Sequence, residues 1–344
     1  MGTTCSKSSG HSPSMPSISS MVSTLNNVPE QAKKFESFTM LPNDVQKEIW
    51  GYLDLRDKSA LASSSTVYKQ LLSTELMTAK LLMLVAQGAQ KQAQAILVQH
   101  GNLSLLCSDV TDYSGRKFKS ITAYEYAYWA KDTHMCRMLE RTMDENTKAA
   151  MLEKVTAIDT FGLSYEQGGQ VVEHSKHFDM TPLKMALQNY VNGYDAWVEA
   201  ENYGALRAAW MLVGKAQRDL PVHVINEYCR SDRAFHPLSD SRFNEDNLPR
   251  TLTYYIPDTK SATTLFPLVV SGSSGLGCDF ALLRAGGRVS RWAAVAQWAW
   301  APPTWAADDL AAVSRLDEVR TGDLTRSREN LLHVEPEQGL GLNL

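Results

Sequence analysis

The chain has 344 residues and a formal net charge of −4, with 44% hydrophobic and 21% charged residues. That balance is ordinary for a soluble globular protein with room for two or three domains, and it excludes a general nucleic-acid binder, which would be basic. No apolar run approaches the roughly 18 residues needed to cross a bilayer.

The five cysteines (5, 107, 136, 229 and 278) are scattered without a C-x-x-C pair. Reduced thiols and a cytosolic working place are expected. The N-terminus carries no secretory apolar region.

In chain order, residues 1–34 are polar, with nine serines between Ser6 and Ser23 and prolines at 13 and 16. This composition cannot offset its ordering entropy, so a disordered arm is expected. From Phe35 the pattern turns helical. Val45, Ile49, Tyr52 and Leu53 fall at helical spacing, and Asp44 follows Pro42 in the first turn, where it complements the helix dipole. Asp57 reads as the N-cap of a second helix carrying Leu61, and a third, short helix carries Tyr68, Leu71 and Leu72.

Helical signal continues through "ELMTAKLLMLVAQGAQKQAQAILVQHG", a hairpin interrupted at Gly88 and ended at Gly101. A loop with Asp112 and Gly115 follows. Further helical pairs begin at "ITAYEYAYWAKDTHMCRMLERTM" and at "TPLKMALQNYVNGYDAW", the latter running on through "ALRAAWMLVGKAQRDLPVHVINEYC". Strand signals are scarce until "TLTYYI" and "TLFPLVV". After Lys260, the final lysine, all seven basic residues are arginines, and four of the eight tryptophans (292, 298, 300 and 305) crowd into an Ala-rich stretch. Such a shift suggests a different coding history, or a shifted reading frame, and no compact fold is expected there.

Leu41, Pro42, Asp44, Val45, Ile49, Tyr52, Leu53, the "DLRD" turn at 54–57, Leu61, Ala62, Tyr68 and Leu71 stand in the order and spacing of an F-box. Met40 to Leu72 therefore resembles that family. Lys58, Ser64 and Thr66 depart from its pattern, standing where an aliphatic, Val and Lys are usual. Three helices in forty residues cannot build a stable core alone, and such a unit buries its leftover apolar face on a partner. The resemblance implies docking on the Skp adaptor of a cullin-RING ubiquitin ligase through Leu41, Pro42, Val45, Ile49, Leu53 and Leu61.

"LVAQGAQKQAQAILVQHG" resembles the back half of an ankyrin repeat, and "TPLKMA" at Thr181–Ala186 its opening, with "ITAYEYA" at Ile121–Ala127 a weaker version. The spacing from Thr122 to Thr181 is too wide for one repeat, and the Gly101–Thr122 loop is too long. Stretches such as "DYSGRKFKSITAYEYAYWA" make residues 35–285 similar to Legionella and Coxiella effectors delivered by the Dot/Icm type IV secretion system. That resemblance implies delivery into a host cell, residence in the host cytoplasm, and a C-terminal secretion signal to which Glu329, Glu335 and Glu337 are suited.

"MGTTCS" fits the N-myristoylation pattern through Gly2 and Ser6, with Cys5 available for a second acyl chain, so attachment to a host membrane is a further expectation. Other motifs fail on spacing. "SGSSGLGCDF" lacks the glycine register and the acidic partner of a dinucleotide site, and the Lys-Ser/Thr of a P-loop. His223 and Cys229 lie about 120° apart on a helix, beyond hydrogen-bond reach. His174 and His177 read as surface-loop histidines rather than a metal pair.

The expected architecture is mainly α. It comprises a disordered arm (1–34), an F-box (35–75), ankyrin-like hairpins (76–145), a helical target-binding domain (146–255) and an irregular C-terminal region (256–344). The expected function is a non-enzymatic adaptor carrying an unknown host target to a host ligase, with no catalytic residue, cofactor, metal or nucleic acid assigned. Two other readings stay open: an effector enzyme with its active site in 150–285, and a binding scaffold unconnected to ubiquitin.

Overall fold

The computed structural model describes residues 41–228, 235, 243–250, 253–256, 261–264 and 302–332. The chain divides into two compact units after Thr66. In the first, α1 (Asn43–Gly51) starts at Pro42, whose carbonyl accepts from the Gln46 amide at 3.0 Å. Helix α2 (Leu55–Ser64) is capped by Asp54, which accepts from the Asp57 amide at 2.8 Å. The cap is therefore one turn earlier than expected, and Asp57 is instead the first-turn acid that complements the helix dipole.

The third helix, expected to be short, is α3 (Thr66–Ala86) with 21 residues, so the boundary expected at 75/76 lies inside it. Its end is set at Gly88, where φ is +70° and an added Cβ would lie 2.6 Å from Val222. Only glycine takes that turn without strain. Helix α4 (Gln90–Gln99) and a 3-10 turn (Gly101–Leu105) complete the expected hairpin.

The Gly101–Thr122 loop and part of the Thr122–Thr181 gap are neither loop nor helix. They carry β1 (Ser108–Thr111), β2 (Lys117–Ile121), β3 (Leu163–Gln167) and β4 (Gln170–Ser175), an antiparallel sheet in sequence order. Val110 pairs with Phe118, Phe118 with Tyr165, and Tyr165 with Val172. These strands are short and mostly half-exposed, with few apolar residues apiece, which is why alternation gives them little signal.

Between the two hairpins run α5 (Ala123–Trp129), α6 (Thr133–Glu140) and α7 (Glu145–Phe161); after them come α8 (Thr181–Glu199), α9 (Tyr203–Arg218) and α10 (Val222–Tyr228). Thr122 and Glu125 form a reciprocal capping box at the start of α5, at 3.1 and 2.8 Å. Such a cap contributes about 1 kcal/mol. The expected strand in "TLTYYI" is β5 (Thr253–Ile256), paired with β6 (Ser261–Thr264); "TLFPLVV" lies outside the described residues beyond Thr264.

The irregular C-terminal region is corrected over 303–332, which form α11 (Pro303–Leu332), a helix of 30 residues. It buries Ala306, Ala312, Val313, Leu316, Val319, Leu324 and Leu331, spaced for one helical face, in the core of the second unit. That face also carries Asp309, Arg320 and Asp323, all buried. Inward charges blur the amphipathic pattern by which a surface helix is read.

Several charges on α11 have partners on other elements. Asp317 takes Lys131 at 2.8 Å and Lys184 at 2.6 Å. Arg320 pairs with Glu227 of α10 at 2.8 Å, both side chains fully buried, and donates to the Phe243 carbonyl at 3.0 Å. Asp323 accepts from Thr133 at 3.2 Å, Arg328 pairs with Asp159, and Asn330 donates to Glu140 at 2.9 Å. Removing one member of a fully buried pair leaves an uncompensated charge, at a cost of about 3–5 kcal/mol. Arg320→Met should therefore lower the urea midpoint strongly, and adding Glu227→Met should restore most of it; a double variant as unstable as the single would refute this account of α11.

Candidate partner-docking site

The six residues expected to dock a partner all lie in or beside the first two helices. Val45 and Ile49, one turn apart on α1, are each 36% exposed. Pro42 is exposed, and Leu41, Leu53 and Leu61 are half-buried. The Leu41 carbonyl accepts from the Gln46 amide side chain at 2.7 Å, which fixes the entry into α1.

The buried side of α1 carries one polar and one aromatic residue. Gln46 and Trp50 are buried, whereas Tyr52 is 83% and Leu55 38% exposed. Val45, Ile49, Tyr52 and Leu55 are thus left at the surface of the first unit. Lys58, a departure from the family pattern, is itself buried. Gly2 and Cys5 lie outside the described residues.

Two concavities that sequence reading did not find lie among the described residues of the second unit. The larger is a cleft of about 1320 Å³ between the start of α4, one face of α6 and residues 246–250. Its closed end is built by Arg250, whose two terminal nitrogens each lie 2.8 Å from Asp132, while Gln90 accepts from Arg250 at 3.0 and 3.2 Å. Asp132 also caps α6 through the Met135 amide. Burial alone would raise the Asp132 carboxyl, but Arg250 outweighs it and holds the group well below the usual carboxylate range.

The smaller concavity, about 500 Å³, is walled by Arg116, Trp129, Tyr165 and Phe178. The Arg116 guanidinium lies over Phe178, Trp129 and Tyr165 at 5.1, 5.6 and 5.7 Å, and pairs with Asp112 at 3.2 Å. Its contacts bind β3, α5 and the loop before α8 into one corner.

The histidines weighed in the sequence are dispersed. His174 in β4 is exposed and bonded to the Phe161 carbonyl at 2.9 Å; His177 is half-buried, with Nε2 3.3 Å from Asp159. His223 is buried in α10, and Cys229 lies outside the described residues. Among the described residues, no group of three His, Cys, Asp or Glu side chains is arranged to hold a metal ion, and no helix is long and apolar enough to cross a membrane.

Residues 182–331 match the family described as the CBUA0006 C-terminal domain. The uncharacterized protein CBUA0006 of Coxiella burnetii (strain RSA 493 / Nine Mile phase I) is 38% identical over 278 residues, covering 76% of this chain and 78% of that protein. The chain belongs to the CBUA0006 family. No solved structure matches it.

The C-terminal family domain opens at Pro182 in the first turn of α8 and closes at Leu331 in the last turn of α11. The sequence of α11 is thus family sequence, which corrects the expectation of a shifted reading frame there. The boundary drawn at 255/256 likewise divides one family domain.

Two buried histidines beside Asp132 give the second unit a pH signature. Burial, with the Arg320 charge second, pushes His134 down to about 2, and burial pushes His223 down to about 3. Both are neutral when folded, whereas in the unfolded chain they protonate below about 6.5. Above that pH they have no effect. As pH falls from about 6.5 towards 3 the unfolded state binds more protons, and stability drops by about 1.4 kcal/mol per pH unit for each histidine. Urea midpoints measured from pH 7 to 4 should show this slope, and His223→Gln should reduce it by about one proton's worth; an unchanged slope would contradict the buried neutral state of His223.

Proposed function

We propose that this chain is a non-enzymatic substrate adaptor that recruits a host Skp–cullin–RING ubiquitin ligase to a host protein. The observation that carries the reading is the outward apolar set of Val45, Ile49, Tyr52 and Leu55, on helices whose sequence follows the F-box order. Large apolar side chains grouped on one small unit favour burial against a partner. The helical second unit holds the target, and the ligase acts by proximity, through a raised local concentration of target lysines. The α5–α6 hairpin with its Thr122 cap, and the α8 start at "TPLKMA", support kinship with ankyrin repeats at the level of single hairpins. The relative in Coxiella burnetii supports a secreted effector working in the host cytoplasm.

The test is recruitment. Val45→Asp together with Ile49→Asp places two charges on the exposed face without disturbing Gln46 or Trp50. This variant should lose co-precipitation of Skp adaptor and cullin from host lysate, while its far-ultraviolet circular dichroism stays unchanged. Undiminished co-precipitation would remove the F-box reading.

The proposal extends to lipid at the N-terminus, on the strength of Gly2, Cys5 and Ser6. One myristoyl chain gives only marginal anchoring, so Cys5 supplies the second acyl site. In a eukaryotic cell, alkyne-myristate labelling should tag the wild type and not Gly2→Ala. Labelling of both, or of neither, removes the membrane placement.

A further inference from the structure

We propose that the cleft between α4 and α6 receives an extended acidic segment of a partner protein. The inference deepens the target-binding half of the adaptor reading and rests on that half, but it requires nothing of the N-terminal helices. The cleft is about 1320 Å³ and open along one side, large enough for several residues of peptide.

Its charge is mostly positive, with Asp246 the one acid among its lining residues. Lys91 and Arg141 are exposed at its walls, and neither has an ion-pair partner among the described residues. Among the described residues, the ion-pair partner of Arg137 is Asp246, at 3.8 Å, and that aspartate side chain is 95% exposed. Such an exposed pair contributes between about 0 and 1 kcal/mol, so a ligand carboxylate can replace it cheaply. Arg250 is already neutralised by Asp132 and serves as structure. Three cations therefore face one space on a chain whose net charge is −4.

The remaining lining favours a polypeptide over a nucleic acid. Gln87, Gln94 and Asn247 present carboxamides, which donate to and accept from peptide groups, and Met138 and Leu248 add apolar surface. Nucleic-acid affinity grows with the number of phosphates neutralised, and three cations supply few. The first turn of α4 also borders the cleft, and its capping position is Ala89, without a side-chain acceptor. Its amide dipoles add to the same sign of potential.

The test uses the full chain and a fluorescein-labelled peptide of about twelve residues, alternating Glu with Leu and Gly, read by fluorescence anisotropy. The peptide should bind, and binding should weaken as salt rises. Arg137→Glu with Arg141→Glu should weaken it at least about tenfold, as should Lys91→Glu, an exposed change that leaves every described ion pair intact. No binding, or binding equal in the variants, overturns the proposal. So does equal affinity for an oligothymidine of the same length, which would mark general polyanion attraction, or binding only after removal of residues 333–344, which would make the chain's own tail the occupant. Val45→Asp with Ile49→Asp should leave peptide binding unchanged, so failure here and failure of adaptor recruitment are read separately.

Discussion

The pairing of Arg320 with Glu227, fully buried at 2.8 Å, fixes where the last helix lies against the core of the second unit. Taking both charges out of water is expensive, and the pair repays it only in this geometry, with Phe243 and Asp323 satisfying other donors of the guanidinium. Burial pulls the Arg320 pKa down while Glu227 and Asp323 oppose it. An apolar seam would hold α11 at least as tightly but would tolerate a slip by one turn. Asp317, Arg320 and Arg328 each meet a different opposite charge on another element, so a slipped helix would leave them unpaired. The polar seam supplies register more than stability.

Arg116 plays the matching part at the sheet. Phe118, paired to both Val110 and Tyr165, sits 4.8 Å from Trp129 and 5.4 Å from Tyr126 in edge-on contacts. Burial of such a ring contributes about 1.5–3 kcal/mol. Arg116 then crosses from the strand to the C-terminal end of α9, donating to the Asp219 carbonyl. A small sheet of half-exposed strands is marginal alone. Here the aromatic corner ties it to helices on both sides, which explains how weak strand sequences persist in a helical protein.

Legibility followed the range of the interactions. Local signals were readable: the helical spacing of α1, the Gly88 break and the "TPLKMA" start of α8 all act within a few residues. What could not be read depends on distant partners. Asp132 looks like an ordinary cap until Arg250 arrives from 118 positions away, and Lys131 like a surface turn until Asp317 meets it across 186. The β-strands were missed because tertiary pairing, rather than alternation, specifies them. Of the docking face, the apolar residues were legible but their orientation was not. Sequence spacing groups Val45, Ile49, Tyr52 and Leu53, and only the structure shows that Gln46 and Trp50 take the buried side.

The two candidate surfaces obey different physics, and this separates their partners. In the proposed role the face of Val45, Ile49, Tyr52 and Leu55 would bind by removal of apolar area from water, a driving force that salt does not screen and that leaves a negative heat-capacity change. The cleft of Lys91, Arg137 and Arg141 attracts by charge, so its affinity and above all its association rate fall within a Debye length of about 10 Å at 0.1 M salt. A constitutive ligase contact is suited to the first kind of surface, being held at any ionic strength. A captured target is suited to the second, since an exposed acidic segment is drawn in quickly by charge. An adaptor of the proposed kind needs that asymmetry: its grip on the ligase must outlast its grip on each modified target, and an apolar face on one unit with a screened, solvated cleft on the other gives the two residence times the required order.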